Sequence, residues 1–297
     1  MNQLFSEKNN QNIPAGAGEC AAPKLLQYAF LNDLEPLAMA EFWWGKSPNK
    51  EIRKHQQFYP SCQGKCKPIL KHMLSGIEMD TNPMLQNPAI GKEFEIVFED
   101  NELIVINKPA DFLSVPGIHI HDSVFTRIKQ LIKNISGPII IHRLDMATSG
   151  LLVLAKNKRA HKEIQSQFIK KTVKKRYTAL IAGNLIKNRG SINLPLRVDL
   201  NDRPRQLVCY EFGKKATTHW EVVKRSKGST KIYFYPISGR THQLRVHAAH
   251  ALGLNSPIIG DDLYGNKSKR LYLHADSLEF KHPLTHKIMK FNRAADF

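Results

Sequence analysis

The chain has 297 residues, 42% of them hydrophobic, and carries 44 Lys or Arg against 26 Asp or Glu, for a net charge of +18. That length can bury a sizeable core. No apolar run approaches the ~18–20 residues of a membrane span, and four cysteines in a chain this long do not make a disulfide framework, which agrees with a reducing compartment. The positive charge is uneven: residues 1–90 hold nine basic against eight acidic side chains, leaving 35 against 18 for residues 91–297. Such a field attracts a polyanion in a salt-sensitive way, as phosphate backbones require.

In chain order, the polar opening Met1 to Lys8 lacks a secretory pattern, so a cytoplasmic protein is expected. Residues 10–90 mix short helical patterns such as Pro23 to Phe30 with prolines and an exposed-looking Phe42-Trp43-Trp44. They are expected to form an arm on the body of the protein rather than a separate domain, and the start near Pro14 to Cys20 reads as the remnant of a longer region. From Phe94 the pattern turns strand-rich. Phe94 to Phe98 and Leu103 to Asn107 flank a turn at Glu99-Asp100-Asn101-Glu102, which predicts a hairpin. Val124 to Ile132 has helical spacing and ends in Lys133-Asn134, with Gly137-Pro138 as a stop. Isoleucines 139 to 141 and Leu151 to Leu154 read as short buried strands.

Arg159 to Ile169 is a basic helix by the same spacing. Lys174 to Ala182, Ser191 to Val198, Thr217 to Val223 and Lys231 to Pro236 read as strands. A helix is predicted over Thr241 to Ala251. Strands outnumber helices without regular alternation, so the fold class is α+β: a mixed, mainly antiparallel sheet with flanking helices.

Chemistry concentrates in two segments. Ile141-His142-Arg143-Leu144-Asp145-Met146-Ala147-Thr148-Ser149-Gly150 sets a carboxylate and a guanidinium in a polar turn between apolar runs, facing a cleft. Ile237-Ser238-Gly239-Arg240-Thr241-His242-Gln243-Leu244-Arg245-Val246-His247 packs four potential cations into eight residues. Read alone, Asp145 also suits a turn cap beside Thr148-Ser149-Gly150, Arg240 a phosphate contact, and Tyr177 a core tyrosine. Cys62 and Cys66, with Cys20, His55 and His72 available, raise the question of zinc. A tetrahedral site needs four convergent ligands and only one close pair is visible, so buried thiols and no metal are the expectation.

Taken together with Lys175-Arg176-Tyr177, Asn107-Lys108-Pro109, Leu113-Ser114-Val115-Pro116-Gly117 and Pro257 to Gly265, these segments occur in the order and spacing of the RluA family of RNA pseudouridine synthases, which the chain resembles from about Phe94 to Phe297. Asn201-Asp202-Arg203-Pro204-Arg205-Gln206 and the closing Ala294 to Phe297 resemble the RluA type, which modifies tRNA anticodon loops and 23S ribosomal RNA. The resemblance implies the pseudouridine synthase fold for residues 91–297 and, for the whole protein, an isomerase acting on structured RNA.

That reaction breaks the C1′–N1 bond of a uridine, turns the base and joins C1′ to C5. It oxidises nothing and imports no group, so no cofactor is expected. By resemblance Asp145 is the essential carboxylate, whether it attacks C1′, adds to the base or removes a ribose proton. Arg240 is expected to pair with it and keep it charged. Tyr177 lies against the target base, and its hydroxyl can help remove the C5 proton. Leu244, four residues after Arg240 and hence on the same helix face, forms an apolar lid. A stacked uridine must be extruded to react, and Arg143, with His142, is the candidate to fill its place; a structural salt bridge is the plainer role for Arg143. Thr148 joins the substrate pocket. Lys175 within the Lys170 to Arg176 run, and Arg203 and Arg205, are candidate phosphate contacts.

Two other functions suit the chain less well. A non-catalytic RNA-binding protein on the same fold conflicts with the intact Asp, Tyr and Arg set. Glycoside hydrolysis requires a second carboxylate flanking the bond. A monomer is expected, since the catalytic residues come from one chain.

Overall fold

Asp100 folds the first hairpin of the sheet. Its Oδ1 accepts from the backbone N–H of Glu102 at 2.8 Å and of Leu103 at 2.9 Å, an Asx turn that reverses the chain between β1 (Glu95–Glu99) and β2 (Leu103–Lys108). The structure, a computed structural model, describes residue 5 and residues 13–47, 53, 55–59, 61–62, 64–80, 86–132 and 135–297. It divides into two compact units, Met1–Thr81 and Asn82–Phe297.

In the first unit, α1 (Ala21–Leu31) and α2 (Lys67–Met73) pack around Ala22, Leu26, Cys66 and Leu70, with Cys20 and Cys62 against them. A single bridge joins Phe42 to Phe58. Phe42 and Trp44 are exposed, as their setting in the sequence suggested, while Trp43 is half-buried.

The second unit is built on a nine-stranded sheet. Its remaining elements are α3 (Val124–Leu131), β3 (Ser149–Ala155), α4 (Lys158–Ile169), β4 (Lys174–Ala182), β5 (Arg189–Asn193), β6 (Leu196–Val198), β7 (Gln206–Val208), β8 (Thr217–Ser226), β9 (Ser229–Pro236), α5 (Gln243–Ala249), β10 (Leu273–Lys281) and β11 (Ile288–Asn292). The sheet order is β1-β2-β3-β10-β4-β9-β8-β5, with β11 on β10, and the β3–β10 pair is parallel while the others are antiparallel. This is the mixed, mainly antiparallel sheet expected. Among the described residues no helix is long and apolar enough to cross a membrane.

Local sequence explains the elements. Ser123 and Thr126 form a reciprocal capping box at the start of α3, and Asn157 caps α4 through Ala160 N–H, each meeting backbone donors that a helix leaves free. Lys133 and Asn134, the expected end of α3, lie outside the described residues. Leu103 to Ile106 and every residue of β3 are buried because both faces of the sheet are covered here. Ile104, Ile106, Leu152 and Leu154 pack beneath α3 on one face, and Leu103, Val105, Leu151 and Val153 beneath α4 on the other. Each such side chain contributes roughly 1.5–3 kcal/mol by leaving water. Beyond β10 a further core gathers Ile181, Ile232, Phe234, Leu244 and Leu273. Tyr177 on β4 touches both that core and the one beneath α3.

Two expectations change in detail. Isoleucines 139 to 141 form no strand: Ile140 makes one bridge, to Leu154, filling the edge that β10 vacates after pairing with Ser149 and Gly150. Ser191 to Val198 is broken into β5 and β6, because Pro195 offers no N–H to a ladder.

Gly150 is where β3 and β10 come closest. Its φ is +117°, and an added Cβ would lie inside the backbone of Ala275. Gly150→Ala is expected to cost about 3 kcal/mol or more from strain and displaced backbone together, read as the urea midpoint of the full chain; a wild-type midpoint would remove the close approach as the reason for glycine here.

Candidate active site

Asp145 lies on the loop between Ile140 and β3, and that loop is held at three points. Ser114 Oγ donates to the Leu144 carbonyl at 2.8 Å and accepts from Leu144 N–H at 3.2 Å. Phe112 N–H donates to Met146 O at 3.1 Å. Lys108 Nζ donates to Met146 O at 3.0 Å, Phe112 O at 2.7 Å and Pro109 O at 3.0 Å. Lys108 is wholly buried. Burial pulls its pKa down to about 7 against the charges of Asp111 and Asp145, while three carbonyl acceptors match the three N–H bonds of the charged form. Asn107-Lys108-Pro109 and Leu113 to Gly117, recognisable in the sequence only as family signatures, are thus the mount of the carboxylate.

Asp145 opens onto a cleft of about 730 Å³. Thr148, Tyr177, Leu244 and Arg245 line it too; among its lining residues Arg143, Lys171, Lys175, Arg240 and Arg245 are basic and Asp145 alone is acidic. A polyanion is therefore drawn to the walls while one negative group waits inside. Thr148 is buried, and its N–H donates to Asp145 O at 3.1 Å, closing the turn. Leu244 is buried in the core below the cleft. Burial first, and then the charge of Asp145, raises the Tyr177 pKa, so the phenol keeps its proton at neutral pH.

Arg240 departs from the expected geometry. Among the described residues no ion pair joins it to Asp145; its Nε donates to Lys215 O at 3.3 Å and the side chain is exposed. The predicted helix over Thr241 to Ala251 begins only at Gln243, because His242 takes a left-handed φ of +52° at its start. Arg240 thus precedes the helix and shares no helical face with Leu244. The same kink turns His242 inward, with Nε2 at 4.0 Å from Asp145 Oδ2 and Nδ1 at 2.9 Å from the Tyr264 hydroxyl. Burial lowers the His242 pKa, opposed by the charge of Asp145.

The buried guanidinium of the segment is Arg245. Its Nε donates to Asp261 Oδ2 at 2.9 Å and its Nη2 to Asp261 Oδ1 at 2.5 Å, with a further bond to Asp262 at 2.9 Å. Asp261 is itself fully buried and accepts from the N–H groups of Leu263 and Tyr264. Burial alone would lower the Arg245 pKa; the hydrogen bond and charge of Asp261, then Asp145 and Asp262, outweigh it and raise it. Arg245 was one of the four cations noted in the sequence, and the partner segment Pro257 to Gly265 was its signal.

The other candidates divide. Arg143 is exposed at the cleft and makes no ion pair among the described residues, so the salt-bridge alternative has no partner there. His142 turns inward: its Nε2 accepts from Val153 N–H at 3.1 Å and its ring stacks on Phe168 at 4.5 Å. Burial, and then the charge of Lys175, push its pKa to about 3, so it is a neutral acceptor. Lys175 reaches the cleft over Phe168, and burial lowers it to about 8. Arg176 is engaged by Asp276, at 3.0 Å, and does not line the cleft. Arg203 is exposed, Arg205 sits 3.6 Å from Asp202, and neither lines the cleft.

With this geometry in place, the comparisons with known proteins are specific. The family model for RNA pseudouridylate synthase matches residues 102–250. The dual-specificity RNA pseudouridine synthase RluA of Haemophilus ducreyi is 46% identical over 222 residues, 71% of this chain and 97% of the relative. The protein of the same description from Escherichia coli is 42% identical over 219 residues, again 71% and 97%. Among solved structures, human RNA pseudouridylate synthase domain containing 1 matches with a TM-score of 0.59 at 25% identity, over 74% of this chain and 87% of that one.

Proposed function

Because the chain belongs to the RNA pseudouridylate synthase family, and is an isomerase that makes pseudouridine in RNA, we propose that Asp145 is its essential carboxylate, acting with Tyr177 and Arg245 on a uridine turned into the cleft. The observation that carries this reading is the meeting of these three side chains in one basic cleft whose single acid is Asp145. The C1′–N1 bond breaks, the detached base stays in the cleft beside Tyr177, and C1′ joins C5; the C5 hydrogen leaves and N1 gains one, so the product has the mass of the substrate. Arg245 faces the carboxylate from its anchored position, and the Tyr177 hydroxyl, which keeps its proton, can donate a hydrogen bond to the detached base but is not the group that takes the C5 proton.

The proposed substrates are a tRNA anticodon loop and a segment of 23S ribosomal RNA, in the cytoplasm, with the protein acting as a monomer. The dual specificity in the relatives' description supports two RNAs. Arg143, exposed beside Asp145, fills the stack that the extruded uridine leaves. Arg240, Lys175, Arg203 and Arg205 contact phosphates.

The test incubates the full chain with unmodified tRNA transcripts and 23S fragments. Pseudouridine is mapped by carbodiimide-dependent primer-extension stops and by mass spectrometry after cyanoethylation. New stops at one loop uridine in each RNA are expected. Absence of pseudouridine from both RNAs would overturn the substrate assignment.

A further inference from the structure

We propose that Cys20, Cys62 and Cys66 bind one zinc ion in the first unit, a metal site separate from the chemistry of the cleft. The three sulfurs lie within 4.8 Å of one another. In a tetrahedral thiolate site, with Zn–S bonds of about 2.3 Å, sulfurs stand about 3.8 Å apart, so the ion fits with small side-chain shifts. Spacing along the chain hid this arrangement, since Cys20 is more than forty residues from the Cys62–Cys66 pair and supplies the third ligand only through the fold.

Three further observations point to an ion rather than to thiols in a core. First, Cys66 stands at the N-cap position of α2 without making a side-chain capping bond, so its sulfur, like that of Cys62 one turn earlier, is left to lie beside the Cys20 sulfur. Cys20 stands at the N-cap position of α1 without making a side-chain capping bond, so its sulfur is free to face the other two. Second, Lys65 ties the loops that carry the ligands: its Nζ donates to Ala15 O at 2.6 Å, which joins the turn before Cys20 to the turn between Cys62 and Cys66, and its charge offsets the excess negative charge that three thiolates bring to a divalent ion. Third, the core cluster here contains four buried residues, Ala22, Leu26, Cys66 and Leu70. A cluster that small calls for a staple, and metal binding is one way a short unit obtains it.

Among the described residues neither His55 nor His72 joins the cluster. The fourth position is therefore assigned to an exchangeable ligand, water in the absence of anything else. Three sulfurs within 4.8 Å of one another also fit an ion better than a disulfide, which would pair two and strand the third.

The experiment uses the full chain, purified without chelator. Elemental analysis is expected to find about one zinc per chain, and titration with a mercurial should release it as three thiols become reactive. Cys62→Ser and Cys20→Ser should hold less than about a tenth of that zinc, whereas Cys209→Ser, which changes a cysteine outside the cluster, should hold all of it. Since a ligand variant can lose zinc by misfolding, wild-type protein stripped of metal is also titrated with Co2+: a sulfur-to-cobalt charge-transfer band, altered by added imidazole at the open position, is expected. Zinc-free protein that takes up neither metal would overturn the proposal, as would a native mass lighter by two hydrogens that locates a disulfide among these cysteines.

Discussion

Asp145→Asn is expected to leave a folded protein that binds RNA and makes no pseudouridine. The Asp145 side chain is 27% exposed, and the hydrogen bonds that hold its loop run through the backbone of Leu144, Asp145 and Met146. Replacing one carboxylate oxygen by an amide should therefore change stability by less than ~1 kcal/mol. Affinity comes mostly from phosphate contacts with basic side chains, which the substitution leaves in place. Removing the group that acts on the reacting atoms should lower turnover by about 10³-fold or more. The measurement pairs a filter-binding titration with single-turnover conversion on one substrate RNA. Retention of more than about a tenth of the wild-type rate would transfer the essential role to another group. Free uracil in place of pseudouridine would favour glycoside hydrolysis.

The second large effect is on the fold as well as the chemistry. Arg245→Leu removes the cation from a fully buried Asp261, and breaking a buried ion pair from one side costs about 3–5 kcal/mol. For the second unit this corresponds to a fall in Tm of roughly 6–20 °C. Adding Asp261→Leu removes the stranded charge and should restore part of the loss, since a buried pair replaced by apolar groups is often close to neutral. The double variant separates two roles. If Arg245 faces the reacting carboxylate, restored stability should come with activity still lowered about 10²-fold or more. Recovery of activity along with stability would reduce Arg245 to a support of the fold.

Much of this was readable from residue patterns, and the exceptions have physical causes. β2, β4 and β9 followed from apolar runs and alternation, and α4 from its spacing, because each buries a face that its own sequence declares. β10 escaped notice because its central position buries His274 and Asp276, polar residues satisfied by Ser149 and Arg176 through the fold. Asp145, Thr148 and Tyr177 meet at the cleft as expected. Spacing puts Arg240 on one helix face with Leu244 because it runs smoothly through His242, and nothing in a histidine announces a left-handed backbone. His142 read as an RNA contact for want of its distant partner Phe168, and the third cysteine of the sulfur cluster was hidden for the same reason. Nonlocal pairing is what composition and spacing fail to carry.

The mount of Asp145 has a practical consequence for anyone redesigning this protein. The decapeptide around the carboxylate is not a portable cassette: its position depends on Lys108, Phe112 and Ser114, more than thirty positions upstream for Asp145. Grafted onto another scaffold without them, the peptide would carry the right letters and lose its aim. Exchange between homologous enzymes should keep both stretches from one parent, and chimeras with a crossover between positions 114 and 144 should be the ones that fail.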